Sequence, residues 1–315
     1  MKFNLLNIIS KNLSFFILAF SSLCFFVLNV VLKDNLSAND YGLFSIFITY
    51  VSLLSSFGMF GFEQTLLRTA VIKSKLEIQK NIFFPSLIAI FLSSFIGVFL
   101  IKSYYDISVS YIMFFLLSIF IIVTKLSFNL YRLLSNFFLA QLVLNFWKLV
   151  LTLVILYYVL TNNNFSLEYI FTIIFITFSI SMISILGWFK RIKFIKVESF
   201  SSLIKKSFLF FIALLTISLM GFGDRFFIEG RFGLELLGDY FFFLNIFLFP
   251  FSLFQSYIGF KEIVSFKKSF SITILDNKIS IISLMSSSPV PLLSMFLYQT
   301  MSSRASLSSK ASKPS

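Results

Sequence analysis

Apolar runs of about twenty residues recur along this chain of 315 residues, and short basic clusters separate them. A helix of that length crosses a hydrocarbon core of roughly 30 Å. Only 12% of the residues are charged and 48 are Phe, which is more apolar surface than a soluble domain can bury. Strands of membrane β-barrels alternate over about ten residues, and these runs do not. The sequence therefore predicts an all-α, multi-pass transmembrane helical bundle.

The apolar runs predict eight membrane spans. Their bounds are Leu13–Leu32, Tyr41–Phe62, Asn81–Ile101, Ile107–Thr124, Leu139–Leu160, Ser166–Trp188, Ser207–Phe222 and Gly238–Phe260. With a cytoplasmic N-terminus, most Lys and Arg residues fall in cytoplasmic connections, whereas Lys33, Lys102, Arg225 and Arg231 fall outside. Positive charge accumulates on the cytoplasmic side of membrane proteins. We therefore predict an N-inside topology in a bacterial inner (cytoplasmic) membrane.

The residue types present exclude several kinds of chemistry. The chain contains no His and one cysteine, Cys24, so a disulfide framework and the usual metal ligands are missing. We expect no catalytic residues, no metal and no cofactor. The net charge of +13 is divided among short connections between spans, which is typical of membrane topology and not of a nucleic-acid-binding surface.

Two helix entries resemble each other in sequence. Asn39-Asp40-Tyr41 opens the second predicted span, and Gly238-Asp239-Tyr240 opens the eighth. Six spans lie between the start of the second span and the start of the eighth. Because six is an even number, both copies would have the same orientation in the membrane, as in a parallel repeat. We therefore predict one complete six-helix lobe (residues 1–189) and the start of a second (207–300).

Between and after these lobes the composition changes. Residues 190–206 are rich in Lys and Arg and are expected to form a cytoplasmic linker that lies against anionic membrane lipids. A ninth span is expected between Ile279 and Tyr298. Residues 301–315 are rich in Ser and are expected to be disordered.

Four segments and one proline together resemble the polysaccharide flippases, which export O-antigen and related repeat units and belong to a larger group with multidrug extruders. They are Leu36–Phe44, Phe57–Arg68, Gly223–Phe227, Leu237–Tyr240 and Pro250. The resemblance implies two six-helix bundles that rock around a central cavity. It also implies a cargo of undecaprenyl-diphosphate-linked oligosaccharide and contact with other polysaccharide-assembly membrane proteins. The chain departs from the family by lacking most of the second bundle, as if truncated at its C-terminus.

An anionic lipid head group requires cations that lipid cannot reach. Lys148, inside the fifth predicted span, is a candidate for binding it, and Arg68 and Arg132 are candidates at the cytoplasmic mouth. Simple interfacial charges are the alternative for all three. Glu63, Asp224 and Arg225 are candidates for a gate or an ion-coupling site, with a structural cap at the membrane surface as the alternative for the last two.

Three other readings of the chain stay open. A membrane polysaccharide polymerase or acyltransferase would share the composition, but it would usually need a sizeable external loop, and the longest expected here is Asp224–Asp239. A drug transporter would share the fold, although cationic drugs favour carboxylates within the spans. The last alternative is a truncated, inactive flippase product.

Overall fold

The computed structural model describes residues 5–72, 75–105, 107, 109–161, 165–195 and 200–268, and their side chains from residue 13 to 249 apart from Ile72. The expected ninth span and the Ser-rich tail lie outside these residues. The helices are α1 (Leu5–Asn35), α2 (Ala38–Phe57), α3 (Phe62–Thr69), α4 (Lys80–Tyr104), α5 (Tyr111–Leu133), α6 (Phe137–Leu160), α7 (Leu167–Ser181), α8 (Ser184–Phe189) and α9 (Phe200–Lys268). The strands are β1 (Val71–Ile72), β2 (Leu76–Gln79) and β3 (Ile192–Ile195). The described residues up to Phe247 form one compact unit.

The expected all-α, multi-pass helical bundle is confirmed. In the described part of the chain, seven helical segments are long and apolar enough to cross a membrane. One face of α4 exposes the large apolar side chains of Phe84, Ile88, Phe91, Phe95 and Phe99. Exposing such side chains to water costs roughly 1.5–3 kcal/mol each, so this face belongs in lipid.

The last of the seven segments, Phe200–Phe249, contains the seventh predicted span and the first half of the eighth. It is broken at Gly233, where φ is 85° and ψ is 176°. In a straight helix Asp224 and Tyr240 would be about 24 Å apart, yet the Tyr240 hydroxyl donates a hydrogen bond to Asp224 Oδ2. The chain therefore reverses at Gly233 into a first arm (residues 200–232) and a second arm (residues 234–247).

This hairpin corrects the expected connection Asp224–Asp239. The structure has helix on both sides of Gly233 instead of an extended loop. The segment is rich in Leu, Phe and Glu, and Gly233 adopts the positive φ of the reversal without steric cost. The two segments with similar sequences meet here. A Cβ at Gly238 would lie 3.1 Å from Tyr41 Cδ1, and one at Gly42 would lie 2.1 Å from the carbonyl oxygen of Leu234.

A three-stranded sheet, which the sequence analysis did not predict, closes one end of the bundle. β1 pairs antiparallel with β2, and β2 pairs parallel with β3. The connection before α4 and the connection before α9 are thus at the same end, as the alternation of spans requires. β3 and the first residues of α9 occupy much of the expected linker 190–206.

Candidate anion-binding site

α5 carries three polar residues, Lys125, Asn129 and Arg132, on one face. Their spacings of four and three residues place them above one another on a helix. Asn129 Nδ2 donates to Glu63 Oε1 at 2.5 Å, and Arg132 Nη1 donates to Asn129 Oδ1 at 3.2 Å. Asn129 therefore connects a carboxylate with a guanidinium inside the bundle.

Glu63 reaches this face because the chain turns sharply between α2 and α3. Phe60 and Gly61 both have positive φ, 46° and 75°, and α3 begins directly afterwards. Glu63 lies in the first turn of α3, where the helix dipole favours a carboxylate. Its side chain is only 7% exposed, and the positive charges of Lys125 and Arg132 act on it.

α6 adds a second polar face with the same spacing, formed by Gln141, Asn145 and Lys148. Asn145 Nδ2 donates to Gln141 Oε1 at 2.9 Å, and both residues are buried. Because α5 and α6 are antiparallel neighbours, Lys125 and Asn145 lie about equally far along their helices from the turn at Ser135.

Lys148 lies at the midpoint of α6, far from either end of the helix. Its ammonium stands 5.2 Å from the centre of the Phe25 ring and 5.8 Å from that of Trp147. It is also close enough to Lys125 for the two charges to interact. Aromatic faces attract a cation but do not neutralise its charge.

We call Glu63, Lys125, Asn129, Arg132 and Lys148 the basic cluster. It holds three cations and one carboxylate. A cation at the centre of a membrane helix costs about 2.5–3.5 kcal/mol on insertion scales, so cations in excess of carboxylates are expected to meet an anion or a wet cavity. The arrangement suits a phosphate or a carboxylate.

Arg68 does not join the basic cluster. It lies five residues beyond Glu63, on the opposite side of α3, and its side chain is exposed. Its guanidinium stacks 4.3 Å from the centre of the Phe210 ring in the first arm of α9. The structure thus brings Glu63 and Arg132 together, places Lys148 within reach of the neighbouring Lys125, and leaves Arg68 at the surface.

Asp224 and Arg225 lie in a second polar group, the hairpin cluster, which also contains Thr49 and Tyr240. Arg225 Nη1 donates to Thr49 Oγ1 at 2.8 Å, in the middle of α2. Arg225 Nε is buried and has no hydrogen-bond partner among the described residues. Asp224 accepts from Tyr240 across the hairpin. These contacts place both residues between helices.

No family model, curated protein or solved structure matches this chain. The site therefore has to be interpreted from its own chemistry. Among the described residues, no group of three or more His, Cys, Asp or Glu could hold a metal ion.

From the sequence, Asn129 is one of several polar residues that could hydrogen-bond sugars or join helices, and Lys125 counts only towards the positive cytoplasmic charge. The spacing of Lys125, Asn129 and Arg132 was the available signal, because polar residues at i, i+4 and i+7 in an apolar run share one helix face. The partnership with Glu63 had no such signal, since it depends on the turn at Gly61.

Proposed function

We propose that this chain is a flippase of the polysaccharide-exporter type. It would move an undecaprenyl-diphosphate-linked oligosaccharide repeat unit across a bacterial inner membrane by alternating access, for surface polysaccharide biosynthesis. The observation that carries the proposal is the basic cluster, in which the cations Lys125, Arg132 and Lys148 outnumber the single carboxylate of Glu63 within a bundle of apolar helices.

The chemistry of the cluster fits such a cargo. A diphosphate carries charge that Arg and Lys bind by charge-assisted hydrogen bonds. In their mutual hydrogen bond Asn145 uses its nitrogen and Gln141 its oxygen, so the Gln141 nitrogen can donate to a sugar hydroxyl and the Asn145 oxygen can accept from one. A drug cation would be repelled by the same site, which favours the anionic cargo over the drug alternative.

Glu63 and the hairpin cluster supply groups that could couple binding to a change of state. A nearby cation stabilises the charged form of a buried carboxylate. That stabilisation is lost when the cation binds another anion instead. When the cargo's diphosphate draws Arg132 away from Asn129, Glu63 would lose part of its support and favour a different packing of α3. In this proposal Glu63 is the candidate for ion coupling, since a cation could replace the support that Arg132 withdraws, and Asp224 and Arg225 act as a gate.

The proposal includes the orientation of the bundle in the membrane. The sheet end carries the most basic connections, including Lys190 and Arg191, and we place it in the cytoplasm with the N-terminus, following the charge rule for membrane proteins. Anionic lipids would lie against this end.

The experiment is deletion of the gene in its own bacterium, followed by complementation with the chain and its variants. A flippase defect leaves no repeat units on the cell surface and lipid-linked units inside. Loss of a polymerase would still leave single repeat units outside. Surface polysaccharide that persists unchanged in the deletion strain would contradict the proposal.

A further inference from the structure

A groove of about 430 Å³ lies between α2, α4 and the first arm of α9, away from the basic cluster. Its volume falls in the usual range of small-ligand sites, about 300–1,000 Å³. Tyr50, Leu54 and Phe57 of α2 form its floor, and Ile96 and Leu100 of α4 and Phe226 of α9 form its walls.

The floor of the groove is fixed by packing and hydrogen bonding. Tyr50 shares a 2.7 Å hydrogen bond with Ser118 of α5, and a Cβ at Gly97 would stand 2.8 Å from the Tyr50 hydroxyl oxygen. α4 therefore approaches α2 closely at this point, so the groove is preformed.

The groove spans the depth of one leaflet. Along α4 its lining extends from Ser93 to Tyr104, which is about 17 Å at 1.5 Å per residue. Half of a hydrocarbon core of roughly 30 Å is about 15 Å. Ile96 and Leu100 are 49% and 50% exposed, so a chain in the surrounding lipid can enter from the side.

One end of the groove is polar, and it lies at the end of α4 remote from the sheet. Tyr105 Oη donates to Glu229 Oε2 at 3.0 Å, and Glu229 is the one carboxylate among the lining residues that the structure describes. Burial and the neighbouring Glu229 raise the pKa of Tyr105, so its hydroxyl stays a donor. At the other end, the Ser93 hydroxyl is already bonded to the Gly58 carbonyl at 2.6 Å.

We propose that this groove binds an acyl chain of a phospholipid with a primary-amine head group, such as phosphatidylethanolamine, from the leaflet remote from the sheet. The apolar lining receives the chain, and the ammonium meets Glu229. The carboxylate disfavours a diphosphate head group at this position, so the groove is distinct from a site for the proposed cargo. The inference does not depend on the proposed function.

The test uses the purified full chain in vesicles of phosphatidylethanolamine and phosphatidylglycerol. One of the two lipids carries a diazirine in its acyl chain, and the cross-linked residues are mapped by mass spectrometry. We expect labelled phosphatidylethanolamine to modify residues of the groove, Ile96 and Leu100 among them, and to do so more than labelled phosphatidylglycerol.

Two variants and one matched control sharpen the test. Ile96→Trp fills the groove and should lower its labelling several-fold. Ile88→Trp, on the same helix at 62% exposure and outside the groove, should not. Glu229→Gln should lower phosphatidylethanolamine labelling by about two- to fivefold, as expected for a partly exposed charge pair, and should not lower labelling by the anionic phosphatidylglycerol, because it removes a negative charge. Equal labelling of wild type and Ile96→Trp, with both eluting as folded protein, would overturn the proposal that the groove binds an acyl chain. Equal labelling by the two lipids would overturn the assignment of the head group.

Discussion

Asn129 of α5 donates its side-chain amide to the buried carboxylate of Glu63 in α3 at 2.5 Å. This hydrogen bond ties the short helix that follows the turn at Gly61 to the helix that carries two of the three interior cations. The same amide group accepts from Arg132 through its oxygen. Any ligand that takes Arg132 as a partner therefore acts on Glu63 through one side chain.

Loss of the Asn129 amide should destabilise the bundle. Asn129→Leu keeps the volume but leaves the Glu63 carboxylate without this donor, and hydrogen bonds to charged groups contribute about 1.5–3 kcal/mol. We expect a lower melting temperature in detergent, followed by intrinsic fluorescence. Asn35→Leu, at an exposed position in the last turn of α1, is the control and should melt like the wild type. Equal melting of both variants would mean that the hydrogen bond carries no net stability.

Neutralising Lys148 should impair export more than it impairs folding. Lys148→Gln removes an interior cation without adding a cavity, and a lost charge-assisted contact to phosphate of about 1.5–3 kcal/mol is a loss of roughly ten- to a hundredfold in affinity. Surface polysaccharide in complemented deletion cells measures the effect. Lys205→Gln, an exposed cation of α9, is the control. If Lys148→Gln restores polysaccharide as well as Lys205→Gln does, Lys148 is only a structural cation.

The turn that positions Glu63 requires glycine at position 61. Gly61 has φ of 75°, and a Cβ there would lie 2.1 Å from the carbonyl oxygen of Ser207. Gly61→Ala must therefore displace the first arm of α9 from α3, and the strained φ alone costs about 1–2 kcal/mol. We expect reduced yield of folded, monodisperse protein.

Gly221→Ala is the matched control for that substitution. Gly221 is helical and a Cβ there meets nothing within 4 Å, so alanine should be neutral or slightly stabilising. Equal behaviour of the two variants in size-exclusion chromatography would contradict the tight approach at Gly61.

Lys33 of α1 forms an ion pair with Asp239 of the second arm. The side chains are 23% and 44% exposed, and pairs of this kind contribute no more than about 1 kcal/mol. In a double-mutant cycle of Lys33→Ala and Asp239→Ala, we expect a small coupling energy that falls as salt is raised. A coupling energy of several kcal/mol would contradict this prediction and would mean that Lys33 and Asp239 are more deeply buried than the structure shows.

The orientation can be measured by cysteine labelling in a Cys24→Ser background. Lys193→Cys lies in β3 at the sheet end, and Arg231→Cys lies beside the hairpin apex at Gly233. A membrane-impermeant maleimide should modify Arg231→Cys in cells with an opened outer membrane, and Lys193→Cys only after lysis. The reverse pattern would place the N-terminus outside.

The bundle could be predicted from the sequence because a membrane span is a local property: twenty apolar residues suffice. The first six predicted spans overlap α1, α2, α4, α5, α6 and the pair α7–α8. The helical hairpin was missed because Glu229, Arg231 and Glu235 read as a polar loop, whereas a helix can present such charges at its solvated end. The sheet was missed because β2 and β3 are four residues each and pair across more than a hundred residues of chain.

The candidate site was predictable only in part, for a similar reason. Lys148 and Arg132 stand out as charges within or beside apolar runs, so composition alone singles them out. Arg68 looked equivalent to them, but its place depends on the direction of α3 after the turn. The contact of Arg225 with Thr49 depends on how α9 packs on α2, and no spacing along the chain encodes that.

The most direct test of the flippase proposal is transfer of its cargo by the purified chain. Vesicles would contain the protein and a fluorescent undecaprenyl-diphosphate oligosaccharide, with a membrane-impermeant quencher added outside to report which leaflet holds the label. The proposal predicts exchange between leaflets that is faster than in protein-free vesicles and slower with Lys148→Gln. Exchange no faster than in protein-free vesicles, with the protein folded and fully incorporated, would contradict it.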